Sequence, residues 1–169
     1  MTTNESISGI RIGQGVDMHR LVPGGPLHLG GVVIPYDLHL DGHSDADVVA
    51  HAIADALLSA AGHGDLGTLL PADDPSTAGI SGAQVLSRVA EVLAFRGARL
   101  LNVDCSVVCD SPPLAHYVPY MVDAMAEALG VSRSNLSIKP RHAEGLGFVG
   151  RDEGVFALAV ALIAFDCRA

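Results

Sequence analysis

The sequence predicts a single α/β (α+β) domain in which helices cover a mixed β-sheet. The chain has 169 residues, which is enough for one hydrophobic core. Apolar residues make up 49% of the chain and charged residues 17%, so we expect disorder only in the polar residues 1–9 and one domain over residues 10–169. Segments with strand-like and helix-like periodicity follow one another in mixed order, which is typical of this fold class.

The first part of the chain contains two strand-like regions. Apolar side chains recur at every second position near residues 11–17, which predicts a short strand. Residues 27–35 have a second strand-like pattern. The pair Gly30 and Gly31 interrupts this pattern and indicates a hairpin or a bulge.

A helix rich in small apolar residues is predicted over residues 45–61. Ser44 or Asp45 is a suitable N-cap, and Gly62 is a suitable C-terminal stop. Residues 62–79 then form a loop rich in Gly, Asp and Pro. Loops of this length in compact domains usually have a function or are disordered.

The second half of the chain predicts two more helices and three strands. Ser81 and Gln84 resemble a capping box that starts a helix, and Gly97 ends it. The next helix covers residues 119–129 and stops at Gly130. The strand-like segments are residues 101–110, 136–139 and 155–165. The last of them is also compatible with a helix by periodicity, and we prefer the strand.

Charge and hydropathy exclude several classes of protein. The formal net charge of −9 argues against binding to nucleic acid, which needs a basic surface. A phosphorylated ligand is still compatible with it, because metals and local cations can supply positive charge. The longest apolar stretch, residues 155–165, is too short to span a bilayer, and residues 1–9 do not resemble a signal peptide. We therefore expect a cytoplasmic protein without membrane or nucleic-acid partners.

The cysteines support the same compartment. Cys105, Cys109 and Cys167 form no CxxC pair, and their number is odd. Cys105 and Cys109 share one face of a predicted strand, so we interpret them as buried free thiols. Such thiols are typical of a reducing compartment.

The candidate metal ligands are Asp17, His19 and His51. Two imidazoles and one carboxylate suit zinc and leave its fourth position open, where the metal can polarise an oxygen. The alternative is that each side chain separately makes an ordinary hydrogen bond.

The environment of His51 favours the metal site. Asp47, His51 and Asp55 are four residues apart, so they lie along one stripe of the predicted helix, which is otherwise apolar. Buried acids need partners, and a metal-bound histidine needs an acceptor for its other N–H. The alternative is that both acids are exposed while the histidine packs in the core.

Two loops carry weaker signals. Residues 65–67 and 71–75 contain loop carboxylates that could accept hydrogen bonds from sugar hydroxyls, but from spacing alone turn chemistry is the better explanation. Residues 145–150 match GxGxxG, yet no βαβ unit follows, so we reject a dinucleotide fold. Glu144 and Arg151, in the same loop, are candidates to lie near phosphates and a hard metal ion.

Together these segments resemble the 2-C-methyl-D-erythritol 2,4-cyclodiphosphate synthase family of the non-mevalonate isoprenoid pathway. The resemblance covers residues 12–163 approximately. The matching segments are GVDMH (15–19), GHSDADV (42–48), HA (51–52), DAL (55–57), GDLG (64–67), DP (74–75), LGF (146–148) and GR (150–151).

The resemblance implies a homotrimer with active sites between subunits. It implies that Asp17, His19 and His51 hold zinc and that Glu144 holds a second divalent ion, magnesium or manganese. The remaining positions that it assigns to substrate or to the trimer axis are His43 and Ser44 for the terminal phosphate, Asp65 and Gly67 for ribose or polyol, and Phe148 and Arg151 for the axis.

The implied reaction is intramolecular. A terminal phosphate oxygen of the phosphorylated CDP-methylerythritol attacks the phosphorus next to CMP, CMP leaves, and 2-C-methyl-D-erythritol 2,4-cyclodiphosphate forms. Two metal ions would fix both phosphates for in-line attack, so no protein nucleophile is needed.

The chain departs from the family pattern where ligands are expected. Arg141 and His142 stand where the family usually has two threonines, and Pro113 stands where it usually has lysine. Ala72 replaces an expected acid, and Asp73, one position later, is the candidate substitute. Arg141 could restore a cationic phosphate contact. The alternatives are a divergent paralogue that cyclises or cleaves another nucleotide-diphosphate-linked polyol, and a metal-bound trimer without catalysis.

Overall fold

The computed structural model describes residues 9–71, 77 and 79–165, and Asp73 lies outside them. The elements in chain order are β1 (Ile10–Pro23), β2 (Leu27–Leu29), β3 (Val32–Ile34), β4 (Leu38–Leu40), α1 (Val48–Ala61), α2 (Leu66–Leu69), α3 (Gly82–Phe95), β5 (Ala98–Val108), α4 (Val118–Leu129), a 3-10 helix (Arg133–Asn135), β6 (Leu136–Arg141) and β7 (Gly154–Phe165). This mixture of strands and helices confirms the predicted α/β class.

The main sheet has five strands in the order β4-β1-β7-β5-β6. Strands β5 and β6 are parallel, whereas β1, β4 and β7 pair antiparallel to their neighbours, so the sheet is mixed. Strand β7 lies at its centre, between β1 and β5, and the preferred strand for residues 155–165 is confirmed. Strands β2 and β3 form a separate hairpin across Gly30 and Gly31, as the double glycine predicted.

Helix α1 packs directly on the sheet through glycines. A Cβ atom added at Gly13 would clash with the backbone of Ala56, and one at Gly15 would clash with the backbone of Ala52. The side chains of α1 are almost all buried. This close contact brings the first turn of α1 next to the middle of β1, where the candidate metal ligands lie.

The opposite side of β1 remains uncovered within the protomer. Alternating side chains of this strand point away from α1, and four large apolar ones among them are 42–71% exposed. These are Ile10, Ile12, Val16 and Met18. We call this set the open sheet face.

Several predicted boundaries need correction. Helix α1 begins at Val48 rather than at residue 45, because Asp47 is its N-cap and Ala46 has a left-handed backbone with φ of +55°. Strand β1 extends to Pro23, well beyond residue 17. The predicted loop after Gly62 contains the short helix α2, and the three-residue strand β4 was not predicted.

Other predicted termini agree with the structure. The capping box of Ser81 and Gln84 is present, and Gly130 ends α4 in the left-handed conformation. Cys105 and Cys109 are buried free thiols. Among the described residues, no helix has the length and hydrophobicity that a bilayer crossing requires, and α1 and α3 each have only 14 residues.

Candidate metal and substrate site

Asp17, His19 and His51 converge on one point of the structure. One ligand atom from each lies within 4.8 Å of the other two. Asp17 and His19 are two residues apart on β1, so their side chains share a face of the strand, and His51 reaches them from the first turns of α1. The carboxylate oxygen Oδ2 of Asp17 lies 3.0 Å from His51 Nδ1 and 3.3 Å from His19 Nε2.

The second nitrogen of each ring has its own oxygen partner. His19 Nδ1 lies 2.7 Å from the carbonyl oxygen of Asp41, and His51 Nε2 lies 3.2 Å from Ser44 Oγ. A carbonyl can only accept, so His19 Nδ1 carries a proton, and Nε2 is the nitrogen that can bind a metal once it is deprotonated. A metal-bound histidine characteristically donates its other N–H to such an acceptor. The donor set therefore fits a zinc ion.

The electrostatics of the cluster favour a charged carboxylate. Burial raises the pKa of Asp17, but the hydrogen bonds from His19 and His51 outweigh it and hold this pKa at about 2. The same hydrogen bond, which the protonated His19 ring donates to Asp17, raises the pKa of His19. Both rings face the same carboxylate oxygen, so the three side chains form one cluster and do not make their hydrogen bonds separately.

Asp47 is a structural residue rather than an acceptor for His51. Its carboxylate is fully buried and accepts hydrogen bonds from the backbone N–H groups of Gly30, Gly31, Val49 and Ala50. The alternative in which the acids of this helix stripe are exposed is thus wrong for Asp47. Asp55 is half-buried and accepts from the N–H of Leu66 at 2.6 Å, which ties α2 to α1.

Asp45 organises the segment before α1, a role that sequence reasoning did not assign. Its Oδ1 accepts from the N–H of Asp47 at 3.2 Å, and its Oδ2 accepts from the N–H of Gly82 at 2.7 Å. These bonds fix the segment that carries Ser44 against the start of α3. Gly42 is equally important, because a Cβ atom there would lie 3.0 Å from Cε1 of His19.

The other predicted contacts near α1 lie in two places. His43 is exposed beside Ser44, and an open cavity of about 340 Å³ borders Ser44, Asp41 and the β2–β4 region. Asp65 is exposed and is the N-cap of α2, where its Oδ1 accepts from Thr68 N at 2.8 Å, and Gly67 lies within that helix.

The remaining predicted residues form a second group at the end of β6 and in the loop before β7. Glu144, Arg141 and His142 are exposed, and His142 Nδ1 lies 3.9 Å from Asp110 Oδ1. Arg151 forms a bidentate ion pair with Glu153, with N–O distances of 2.8 and 2.9 Å.

Phe148 is the member of this second group that lies near the cluster. It lines a cavity of about 230 Å³ together with Met18 and His19. Within the described part of one protomer, no hydrogen bond or ion pair joins Glu144, Arg141 or His142 to Asp17, His19 or His51. The structure therefore brings the zinc-type ligands together and leaves the predicted second-metal ligand unconnected to them.

Comparisons with known proteins agree with this geometry. Residues 10–164 match the model of the YgbB family. The 2-C-methyl-D-erythritol 2,4-cyclodiphosphate synthase of Symbiobacterium thermophilum is 53% identical over 153 residues, which cover 90% of this chain and 98% of the relative. Relatives with the same name from Pelotomaculum thermopropionicum and Thermosynechococcus vestitus are 48% and 49% identical.

Solved structures share the fold. A 2C-methyl-D-erythritol-2,4-cyclodiphosphate synthase in its CDP-bound form has a TM-score of 0.83 and 36% identity, covering 90% of this chain and 99% of its own. The bifunctional IspDF of Campylobacter jejuni has a TM-score of 0.88 and 34% identity, and the match covers 93% of this chain and 42% of that longer one. With a family model and close relatives matched over nearly its whole length, this chain belongs to the YgbB family of 2-C-methyl-D-erythritol 2,4-cyclodiphosphate synthases.

Proposed function

We propose that this protein is a metal-dependent phosphorus–oxygen lyase that forms 2-C-methyl-D-erythritol 2,4-cyclodiphosphate and releases CMP from the phosphorylated CDP-methylerythritol. The observation that carries the proposal is the convergence of Asp17, His19 and His51 in a chain that is 53% identical to a synthase of that name. The relatives from Symbiobacterium, Pelotomaculum and Thermosynechococcus share this one name, so we do not favour a paralogue with another substrate or a trimer without catalysis.

The reaction needs positioning and neutralisation of charge more than it needs protein nucleophiles. An oxygen of the terminal phosphate forms a bond to the phosphorus next to CMP, the bond from that phosphorus to CMP breaks, and CMP leaves with the electron pair. Zinc held by Asp17, His19 and His51 would supply positive charge to phosphate oxygens. His43 and Ser44, beside this cluster, would orient the terminal phosphate.

A second divalent cation, magnesium or manganese, would bind at Glu144. A carboxylate oxygen suits either ion, and both ions are usually bound together with substrate phosphates. Glu144 is exposed on a glycine-rich turn, so its carboxylate is accessible to such an ion. This residue would help to hold the two phosphates in line during attack.

The substrate contacts would be divided between the two groups of residues. Asp65 and Gly67 would bind hydroxyls of the ribose or the polyol, with Asp73 as a further candidate. Arg141 and His142 would contact phosphate and nucleotide, since the guanidinium group binds phosphate oxygens bidentately. Phe148 and Arg151 would line the trimer axis.

We further propose a homotrimer with active sites between subunits. The open sheet face supports it, because Ile12 and Met18 are 71% and 52% exposed. The separation of Glu144 from the zinc-type cluster within one protomer supports it as well. A cytoplasmic location is also proposed, because the buried free thiols suit a reducing compartment.

The direct test is CMP release from the phosphorylated CDP-methylerythritol, with ³¹P NMR to identify the cyclic product. His51→Ala removes one of three zinc-type ligands, so we expect turnover to fall by about a thousandfold or more. His116→Ala is the matched control, because His116 is exposed and its ring contacts Tyr117 and Tyr120. Failure of the wild-type protein to release CMP from this substrate would contradict the proposal.

A further inference from the structure

The turn that carries Glu144 has an unusual backbone. Glu144 has φ of +54° and Gly145 has φ of +75°, so two consecutive residues are in the left-handed region. A non-glycine residue rarely adopts this conformation, and it persists only where surrounding contacts determine it. The Glu144 carboxylate therefore has a direction that depends on whatever holds this turn.

Asp110 holds the turn from both sides of Glu144. Its Oδ1 accepts a hydrogen bond from the N–H of Ala143 at 2.5 Å, and its Oδ2 accepts one from the N–H of Gly145 at 3.1 Å. The two donors flank Glu144 in sequence, while Asp110 is more than thirty positions away. Among the described residues, no other side chain accepts a hydrogen bond from these two N–H groups.

The backbone places Asp110 for this contact. The N–H of Cys109 donates to the carbonyl of Arg141 at 2.9 Å, which continues the pairing of the parallel strands β5 and β6 by one step. Beyond that step the chain of β6 turns away into residues 143–146, where Leu146 N donates to Ala143 O at 3.0 Å. The Asp110 carboxylate thus takes the place of the next hydrogen bonds between the two strands, at the point where the turn begins.

We propose that Asp110 is a positioning residue that aims the Glu144 carboxylate at a divalent cation. The inference rests on the proposed function, in which Glu144 is the ligand of the second ion. Each Asp110 oxygen accepts one N–H of the turn, so this carboxylate fixes the backbone on both sides of Glu144 and acts on the cation through that turn. Its side chain is 19% exposed, which shields these hydrogen bonds from competition by water.

The experiment measures Mn²⁺ binding to the zinc-loaded protein in the presence of CDP, by the EPR signal of free Mn²⁺. Asp110→Ala removes both acceptors, and we expect the dissociation constant for Mn²⁺ to rise about tenfold or more, the usual effect of losing an outer partner of a metal ligand. Asp110→Asn keeps one acceptor oxygen, so its effect should be intermediate. Glu144→Gln is the positive control.

The matched negative control is Asp123→Asn, which removes an exposed acid that pairs with Arg133 at 3.2 Å. It should leave the Mn²⁺ constant unchanged. Steady-state kinetics provide a second readout. A positioning role predicts that Asp110→Ala raises the Mn²⁺ concentration for half-maximal rate while kcat at saturating Mn²⁺ recovers to within about threefold of wild type. Zinc content should stay at the wild-type value.

The possible results are distinguishable. Unchanged Mn²⁺ binding in Asp110→Ala, while Glu144→Gln weakens it, overturns the inference and leaves the proposed function intact. If Asp110→Ala does not fold, Asp110→Asn decides the same question. If Glu144→Gln has no effect on Mn²⁺ either, the positioning role fails together with the Glu144 assignment, and CMP release by the wild type still tests the synthase separately.

Discussion

His19 and His51 are oriented by oxygen atoms that are not part of the predicted ligand set. The Asp41 carbonyl and Ser44 Oγ each bind one ring nitrogen, and this leaves the other nitrogen facing Asp17. The sequence motif identified the three candidate ligands, but it could not identify a backbone carbonyl as a partner. Such a carbonyl has no side-chain signature, and its position depends on the strand β4 that the pattern did not predict.

Protons should compete with zinc at His19. The pKa of His19 is raised above the ordinary value of 6.5, so most of the rings still carry the extra proton at pH 6.5. A ring must lose this proton before it can bind the metal. We therefore expect the apparent zinc affinity to fall with decreasing pH, by about tenfold per unit once below this pKa. Asp17, with a pKa of about 2, should not contribute in this range.

Competition with a chromophoric chelator between roughly pH 5.5 and 8.5 measures this dependence. His116→Ala should give the wild-type profile, because its exposed ring lies outside the cluster. A zinc affinity that does not change with pH, after correction for the chelator, would argue against His19 as a ligand.

Substitution of Arg141 distinguishes the standard synthase from a paralogue with another substrate, the alternative that Arg141 and His142 suggested in the sequence. The side chain is exposed, and its Nη1 contacts only the neighbouring Pro140 carbonyl at 3.0 Å among the described hydrogen bonds. If Arg141 binds a substrate phosphate, Arg141→Thr should raise KM for the phosphorylated CDP-methylerythritol about tenfold with little change in kcat. Steady-state CMP release gives both constants.

Arg133→Thr is the matched control for this substitution. The Arg133 guanidinium is also exposed, but it pairs with Asp123 on α4. It should leave KM unchanged. The opposite result for Arg141→Thr, higher activity with this substrate and more so when Pro113→Lys is added, would favour the paralogue.

At the scale of single elements, the sequence predicted what depends on local pattern and missed what depends on distant contacts. The capping box of Ser81 and Gln84 and the central strand β7 follow from neighbouring residues, and both are confirmed. The start of α1 does not follow from neighbouring residues. Asp47 is its N-cap, and the same carboxylate also accepts hydrogen bonds from Gly30 and Gly31 in the β2–β3 hairpin. A window along the chain cannot contain that contact.

Asp47 should therefore contribute more to stability than an ordinary helix cap. Asp47→Ala would leave four backbone N–H groups without an acceptor, three of them in buried hydrogen bonds, and we expect the free energy of unfolding to decrease by about 3 kcal/mol or more. Asp47→Asn should cost less, because Oδ1 alone accepts three of the four bonds.

Urea unfolding followed by circular dichroism measures both changes. Asp65→Ala is the control, since Asp65 caps the exposed helix α2, and its loss should cost much less than that of Asp47. Equal losses for Asp47→Ala and Asp65→Ala would mean that the hairpin contacts of Asp47 contribute nothing.

The thiols of Cys105 on β5 and of Cys109, the residue after β5, should be almost unreactive in the folded protein. Burial raises the pKa of Cys105 and of Cys109 to about 12, so very little thiolate is present at neutral pH. In a Cys167→Ser background, we expect labelling by Ellman's reagent to be at least about a hundredfold slower than in urea. Cys105→Ala and Cys109→Ala assign any residual rate, and rapid labelling of both thiols in the native state would contradict their burial.

At the scale of the whole molecule, the open sheet face should mediate assembly. Ile12→Glu places a charge at the centre of this face, where the side chain is 71% exposed in the protomer. We expect a folded monomer by light scattering, with CMP release reduced by about a hundredfold or more, because charge burial in an apolar interface is strongly unfavourable. Phe95→Glu, on the exposed end of α3 and 91% exposed, should remain trimeric and active.

A site shared between subunits makes a stricter prediction. His51→Ala and Glu144→Gln each inactivate their own trimer, but in mixed trimers some sites combine an intact His51 from one subunit with an intact Glu144 from its neighbour. After unfolding and refolding an equimolar mixture, random assembly should make about one quarter of the sites intact and restore about a quarter of wild-type CMP release. If both residues served the same site from a single chain, no site in the mixture would be complete and activity would stay at the level of the separate variants. Refolding each variant alone controls for reactivation. The activity of the mixture then decides whether the Glu144 that completes each zinc-type cluster comes from a neighbouring subunit.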